Sequence, residues 1–169
     1  MVYIGLDQSY TSTGYCVLND DEIIDFGTIK TDPSESIHRR AGTAAKGIVD
    51  VINNYPESKV SIEGLAFGIR GSATRDLAGL QFVIMDRIYN QTHVDDVLII
   101  TPKTIKKFAT GSGGSAKKKV GKKDMFDSLP SDVQDLFKSK YKPTSGLYDI
   151  TDAYYLAKVL QNESYTNKY

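Results

Sequence analysis

Three apolar, β-branched runs open the chain, and only short links join them. The runs span residues 2–8, 13–18 and 22–30, and turn-forming residues at 9–12 and 19–21 separate them. Runs of this composition, bounded by turn residues, predict β-strands. Because such short links cannot carry a crossover connection, we predict that the three strands are antiparallel neighbours.

The rest of the chain alternates helical and strand patterns. The predicted elements, in chain order, are a helix at 34–54 with Ser34 as its N-cap, a strand at 59–65, a helix at 73–92, a strand at 97–101, and helical segments at 102–108, 118–128, 131–139 and 148–161. This order predicts an α/β fold with a mixed five-stranded sheet, three antiparallel strands then two parallel ones, and helices on both faces. We expect residues 1–162 to form a single domain and residues 163–169 to form a polar tail.

Size and composition narrow the class of protein. A chain of 169 residues is long enough for one complete hydrophobic core. Cys16 is the only cysteine, which excludes an internal disulfide and a cysteine zinc cluster. No apolar run approaches the ~20 residues that span a bilayer, and the N-terminus lacks the pattern of a signal peptide. A cytoplasmic location is therefore expected.

Four acidic residues occupy positions from which their side chains could converge. Asp7 and Glu63 end two of the predicted strands, and Asp149 and Asp152 lie three residues apart, on one face of the last helix. Converging carboxylates repel one another unless a cation lies between them. Oxygen ligands favour Mg²⁺ or Mn²⁺, and two such ions can bracket a phosphodiester. The pattern predicts a metal-dependent nuclease, although Asp149 alone could serve only to stabilise a helix N-terminus.

A basic stretch provides a second functional signal. Residues 102–123 contain eight lysines and no acid, and they enclose a glycine-rich segment at 110–115. The net charge of the chain is zero, but a phosphate backbone responds to the local field rather than to the sum. We therefore predict a flexible basic loop that contacts DNA. Arg70 and Arg75 are further candidates for phosphate contacts, and the alternative is that they are solvated residues at a helix start.

Together these motifs resemble the RuvC family of Holliday-junction resolvases, within the ribonuclease-H-like superfamily. The segments that carry the resemblance are 4–9 with 13–15, 61–63, 105–118 and 149–153. They follow the family's order and extend over most of the chain. The resemblance implies a homodimer that binds a four-way DNA junction and nicks two strands symmetrically.

The resemblance also implies roles for individual residues. The catalytic metal ligands would be Asp7, Glu63, Asp149 and Asp152, holding Mg²⁺, with Mn²⁺ as a substitute and two ions in each site. The lysines near the cut phosphate would be Lys106 or Lys107, together with Lys117, Lys118 and Lys119, and the resemblance does not assign a separate role to each.

The chain departs from the family pattern at three places, the first being a spacing after Lys118 that is one residue longer. Ala66 stands where the family often has an aromatic wedge, and the neighbouring Phe67 is the candidate replacement. Gln8 and Ser9 replace the Pro-Gly that commonly follows the first aspartate. The short, divergent sequence resembles bacteriophage versions of the family, which implies action in the host cytoplasm and cutting of forks as well as four-way junctions.

Three other functions fit part of the pattern. A ribonuclease acting on RNA–DNA hybrids could use the same acids, an actin-like ATPase has a similar strand-end Asp and Thr-Gly hairpin, and a DNA-binding protein without activity would use only the basic loop.

The predicted helix at 73–92 has enough apolar residues to cover two faces. A second apolar face predicts a dimer interface.

Overall fold

One mixed sheet organises the protein. The computed structural model describes residues 1–65, 71–114 and 119–162. The strands are β1 (Val2–Asp7), β2 (Ser12–Asn19), β3 (Glu22–Lys30), β4 (Lys59–Glu63) and β5 (Val97–Ile100). Their order across the sheet is β3-β2-β1-β4-β5. The first three pair antiparallel, and β4 pairs parallel with both β1 and β5, as predicted.

Helices cover both faces of the sheet. They are α1 (Ile37–Asn53), α2 (Ser72–Gln91), α3 (Pro102–Thr110), α4 (Lys122–Asp127), α5 (Ser131–Lys140) and α6 (Ser145–Gln161). Helices α1 and α2 pack on one face, and α3 to α6 pack on the other. None of the described helices has the length and apolar character needed to cross a lipid bilayer. The single domain at 1–162 stays a prediction, and the tail at 163–169 lies outside the described residues.

Several helix boundaries differ from the predictions. Ser34 is not the N-cap of α1: its hydroxyl donates to Asp32 instead, and the side chain of Ser36 accepts from the backbone N–H of Arg39. The last helix begins three residues earlier than predicted, at Ser145, and α4 begins at Lys122 rather than at 118. The early start of α6 places its two acids beyond the first turn.

Two glycines allow α6 to lie directly on the sheet backbone. A Cβ on Gly5 would stand 2.0 Å from the carbonyl oxygen of Ala153, and a Cβ on Gly14 would stand 2.3 Å from that of Asp149. Any side chain at either position would push the helix away from β1 and β2. The two glycines thus fix the height of α6 above the sheet, and with it the position of the acids that α6 carries.

Candidate active site

Asp7 and Glu63 lie side by side at the ends of two parallel strands. Leu6 of β1 is in register with Ile62 of β4, so the next residues of both strands are neighbours. Side chains alternate along a strand, and Ser61, two residues before Glu63, donates to the carbonyl oxygen of Leu156 in α6 at 3.0 Å. Both carboxylates therefore face α6.

Helix α6 brings the other two acids to the same end of the sheet. Asp149 and Asp152 are only 7% and 8% exposed, and Asp7 is 7% exposed. The first turn of α6 contains no acidic residue, because the helix begins at Ser145. Favourable interaction with the helix dipole falls off within the first turn, so it does not account for this buried pair.

Lys122, the first residue of α4, lies among the acids. Its Nζ stands 3.6 Å from Asp149 Oδ1 and 3.7 Å from Asp152 Oδ2. Burial alone would lower the pKa of Lys122, but the negative charges of Asp152, Asp7 and the other two acids raise it above its usual value. Lys122 is therefore an internal counterion. Sequence reasoning did not single it out from the other lysines of the basic stretch.

The acids and lysines enclose a cavity of about 260 Å³. Its lining comprises Asp7, Glu63, Asp152, Lys106 and Lys122, together with Pro102, Ile105, Val120, Gly121 and Met125. Asp149 is not part of the lining, although it pairs with Lys122. The cavity combines three carboxylates with two ammonium groups, which suits a ligand that contains both a cation and phosphate oxygens.

Burial and mutual repulsion raise the pKa values of the acids. Burial raises the pKa of Asp7 well above its usual value, and the charges of Glu63 and Asp152 add to the effect. Burial raises the pKa of Asp152 to about 7, opposed by Lys122 and helped by Glu63. The pKa values of Glu63 and Asp149 are also raised by burial. A cation of charge two would reverse these shifts.

The donor atoms fit a hard divalent cation. Oδ1 of Asp152 is buried and has no hydrogen-bond partner. As the side chains lie here, no group of three His, Cys, Asp or Glu residues in the described part of the chain is close enough to hold a metal ion. The ammonium of Lys122 lies 3.6 Å from Asp149 and 3.7 Å from Asp152 and occupies the position of a cation between them. All four side chains offer only oxygen, which matches Mg²⁺ or Mn²⁺.

Comparison with known proteins identifies the family. The sequence model of the family described as "Crossover junction endodeoxyribonuclease RuvC" matches residues 3–157. The chain belongs to the RuvC family. A RuvC from Pseudothermotoga lettingae is 32% identical over 124 residues, which cover 71% of this chain and 75% of the relative. A RuvC from Dictyoglomus thermophilum is 30% identical over 124 residues, covering 71% of this chain and 77% of the relative.

Solved RuvC structures share the fold. A Thermus thermophilus RuvC structure superposes with a TM-score of 0.68 at 20% identity, covering 99% of this chain and 96% of that one. A second, of T. thermophilus RuvC in complex with Holliday junction substrate, gives a TM-score of 0.72 at 19% identity with the same coverage. The predicted ribonuclease-H-like sheet is therefore confirmed. Family membership confirms the predicted enzyme class, a crossover junction endodeoxyribonuclease, whose dependence on a divalent metal is a property of the family.

The predicted DNA-binding residues of this chain fall into three groups. Lys106 lines the cavity, and its charge opposes the raised pKa values of Glu63 and Asp152. Lys107, Lys119 and Arg75 are exposed and lie outside the cavity lining. The residues Phe67, Arg70, Lys117 and Lys118 lie outside the described part of the chain. Their roles stay predictions.

Two glutamines hold the backbone of Glu63, a feature that sequence reasoning missed. The amide nitrogens of Gln8 and Gln81 donate to the carbonyl oxygen of Glu63 at 2.9 Å and 3.2 Å. Gln8 follows Asp7 directly, and Gln81 comes from α2. Oε1 of Gln8 is buried without a partner. The pair ties the end of β1 and the helix α2 to the residue that carries one of the site's carboxylates.

Removing both amides is expected to weaken metal binding. The Gln8→Met/Gln81→Met variant keeps similar side-chain volumes but frees the backbone at Glu63. We expect its affinity for Mn²⁺, measured by isothermal titration calorimetry, to fall about 10-fold to 100-fold, the usual cost of losing groups that orient ligands. Gln134→Met is the matched control, because Gln134 donates to the carbonyl oxygen of Leu129 away from the site. Equal Mn²⁺ affinity in all three proteins would contradict the positioning role.

Proposed function

We propose that this RuvC-family chain is a metal-dependent endonuclease whose catalytic acids are Asp7, Glu63, Asp149 and Asp152. It hydrolyses phosphodiester bonds in four-way DNA junctions and in other branched DNA such as forks. The observation that carries the residue assignment is the convergence of buried acids from β1, β4 and α6 on one cavity that two lysines also line. Structural acids have no reason to gather at one point, because burial opposes the ionisation of all four and neighbouring acids raise the pKa values of Asp7 and Asp152 further.

The proposed role of each residue follows from the chemistry of its side chain. Asp7, Glu63 and Asp152 line the cavity and would hold Mg²⁺, or Mn²⁺ in its place, as two ions with Asp149 completing the set. Ions held by these residues would polarise the phosphodiester and neutralise the charge that develops during hydrolysis. Lys106 and Lys122, which line the same cavity, would bind phosphate oxygens and so orient the strand. Once a cation neutralises the acids, the ammonium of Lys122 is free to contact DNA instead.

The substrate follows from the family. One T. thermophilus RuvC structure with this fold contains a Holliday junction. The basic stretch that contains Lys106 and Lys119 suits binding to the DNA backbone, which does not depend on sequence. A bacteriophage origin and action in the host cytoplasm also stay proposals, drawn from the short and divergent sequence.

The test of function is cleavage of four labelled substrates by the purified protein with Mg²⁺ or Mn²⁺. The substrates are a four-way junction, a fork, a linear duplex and an RNA–DNA hybrid. Paired symmetric nicks in the junction support the proposal, and equal cutting of forks broadens it to branched DNA. Cutting of the hybrid alone would replace it with a ribonuclease of the same superfamily.

We further propose that the protein acts as a homodimer through α2. Phe82 of α2 is 79% exposed, and Tyr89, one heptad later on the same side of the helix, is 46% exposed. Leu80, Ile84 and Ile88 form the buried face of the same helix. Large aromatic side chains exposed on one side of a helix are typical of protein interfaces. Two copies would supply the two active sites that paired nicking needs.

Changing the exposed aromatics is expected to separate the dimer. We expect the Phe82→Ser/Tyr89→Ser variant to raise the dimer dissociation constant at least about 30-fold, since central aromatics typically contribute 2 kcal/mol or more. Sedimentation velocity measures the change. Leu136→Ser on α5 is the control, because Leu136 is also exposed, at 39%, but lies on another helix. A wild-type protein that is monomeric at all concentrations, or a double variant that dimerises normally, would contradict the interface.

A further inference from the structure

A second group of lysines lies outside the basic stretch that flanks the cavity. Lys138, Lys140 and Lys142 surround the end of α5, and residues 136–148 contain no acid. None of the three forms an ion pair with a carboxylate in the described part of the chain, unlike Lys46 and Lys123, which each pair within their own helix. The three lysines are exposed. They form a patch of uncompensated positive charge, called here the 138–142 surface.

Aromatic rings support two of these lysines. Nζ of Lys138 stands 5.2 Å from the ring centroid of Phe126, and Nζ of Lys140 stands 4.3 Å from that of Phe26. A ring face attracts the ammonium group but does not neutralise it. The C-terminal dipole of α5 also favours cations at 138 and 140. Neither effect accounts for Lys142, which lies beyond the helix.

Tyr141, in the middle of the 138–142 surface, contacts the sheet and α6. Its hydroxyl is 3.4 Å from Oγ1 of Thr28 in β3, and its ring borders Gly146 of α6, where a Cβ would stand 3.0 Å from the ring. Lys140 and Lys142 are the immediate neighbours of Tyr141. Their backbone positions are therefore set by contacts with β3 and α6 rather than by a free loop.

Tyr141 connects the 138–142 surface to the row of the sheet that contains Asp7. Thr28 is in register with Gly14, and Gly14 is in register with Asp7, so the three residues form one row across β3, β2 and β1. With strands about 4.8 Å apart, the row places Thr28 roughly 10 Å from Asp7. Lys106 comes from α3, which follows the opposite edge strand β5. The acids therefore lie between two basic surfaces.

We propose that the 138–142 surface is a second contact for the DNA backbone, on the β3 side of the active site. A DNA strand carries one phosphate per about 3.4 Å of helix axis. The roughly 10 Å from Asp7 to Thr28, where Tyr141 contacts the sheet, corresponds to about three nucleotides of a strand cut at Asp7. The inference rests on the proposed function for the position of the cut. The binding contact itself is independent of whether cleavage occurs.

The test compares salt dependence of DNA binding in charge-matched variants. Binding of a fluorescent four-way junction is measured by anisotropy at several salt concentrations, without Mg²⁺ or Mn²⁺ so that no strand is cut. For Lys140→Gln/Lys142→Gln we expect the slope of log affinity against log salt to fall by about 2, close to 0.9 per lost phosphate contact. The control is Lys46→Gln/Lys59→Gln, which removes the same charge. Lys46 lies on α1, on the other face, and Lys59 begins β4 at the end of the sheet away from Asp7.

A slope equal to that of the wild type and the control would overturn the inference. If the double variant does not fold, the single variant Lys142→Gln still tests the contact, because Lys142 lies outside α5. For this variant we expect the slope of log affinity against log salt to fall by about 1. If the wild type binds junctions but cuts no DNA, the proposed function fails while the slopes still decide this inference. If the wild type cuts junctions and the slopes are equal, only this inference fails. In the cleavage reaction, the loss for the double variant should appear in KM rather than in kcat.

Discussion

Replacing Asp7 with Asn is expected to reduce cleavage of a four-way junction at least about 1,000-fold. The change keeps the shape of the side chain but removes a charge from the centre of the proposed metal site. Divalent cations contribute several kcal/mol to stabilising such reactions, and about 4 kcal/mol corresponds to a 1,000-fold change in rate. The measurement is the single-turnover rate with Mg²⁺ at saturating protein.

The same substitution is expected to stabilise the metal-free protein. Burial and the charges of Glu63 and Asp152 oppose ionisation of Asp7, so an uncharged side chain relieves the repulsion. About 1 kcal/mol would raise Tm by roughly 2–4 °C in a domain of this size. Asp50→Asn, at an exposed acid on α1, is the control and should leave the rate of cleavage unchanged. Full cleavage by Asp7→Asn would remove Asp7 from the catalytic set, and a loss of activity through unfolding would show as a lower Tm.

The sheet was predictable because its signals are local. The strands β1 to β3 are apolar runs with turn residues between them, and no other arrangement of such short links is compact. Asp7 and Glu63 were found from their places at strand ends. Parallel strands end at the same edge, so their proximity follows once the order of elements is correct. The pairing of Leu6 with Ile62 realises that expectation.

Helix starts were harder to predict because several residues can cap a helix. Ser34 and Ser36 are both good N-caps by composition, but the hydroxyl of Ser34 is engaged by Asp32. For α6, the sequence around Ser145 does not clearly indicate the start of a helix. Packing against Gly5 and Gly14 sets the position of α6 instead. A local bond to Asp32 decided the start of α1, and contacts with the distant strands β1 and β2 set the position of α6.

The lysine that contacts the acids could be identified only from the tertiary structure. Eight lysines occupy residues 102–123, and no local property distinguishes Lys122 from Lys119 or Lys123. Lys122 meets Asp149 and Asp152 only because α4 packs against α6. The bonds from Gln8 and Gln81 to Glu63 likewise join residues 55 and 18 positions apart. The positions of the acids in the predicted elements located them, but the network that supports them depends on tertiary contacts.

Metal binding is expected to weaken steeply as pH falls below 7. Burial raises the pKa of Asp152 to about 7, with Glu63 and Asp149 adding to the shift against Lys122. A divalent cation must displace that proton, so affinity for Mn²⁺ should fall about tenfold per pH unit below pH 7 and level off above it. Calorimetric Mn²⁺ titrations between about pH 5.5 and pH 8.5 measure this. An affinity that does not change between about pH 5.5 and pH 7 would contradict the assignment of Asp152.

The metal-free protein should show the opposite trend. Because the folded pKa of Asp152 is above its unfolded value, its contribution to stability is fully present below about pH 4 and is lost as pH rises through about 7. Asp152→Asn removes this titration, so its unfolding free energy in EDTA should fall less than that of the wild type across the same window. If the wild type becomes more stable relative to the variant as pH rises from about 5 to about 7, the pKa of Asp152 is not raised and the prediction is wrong. The two trends together describe one site, in which a proton and a divalent cation compete for the same buried carboxylate.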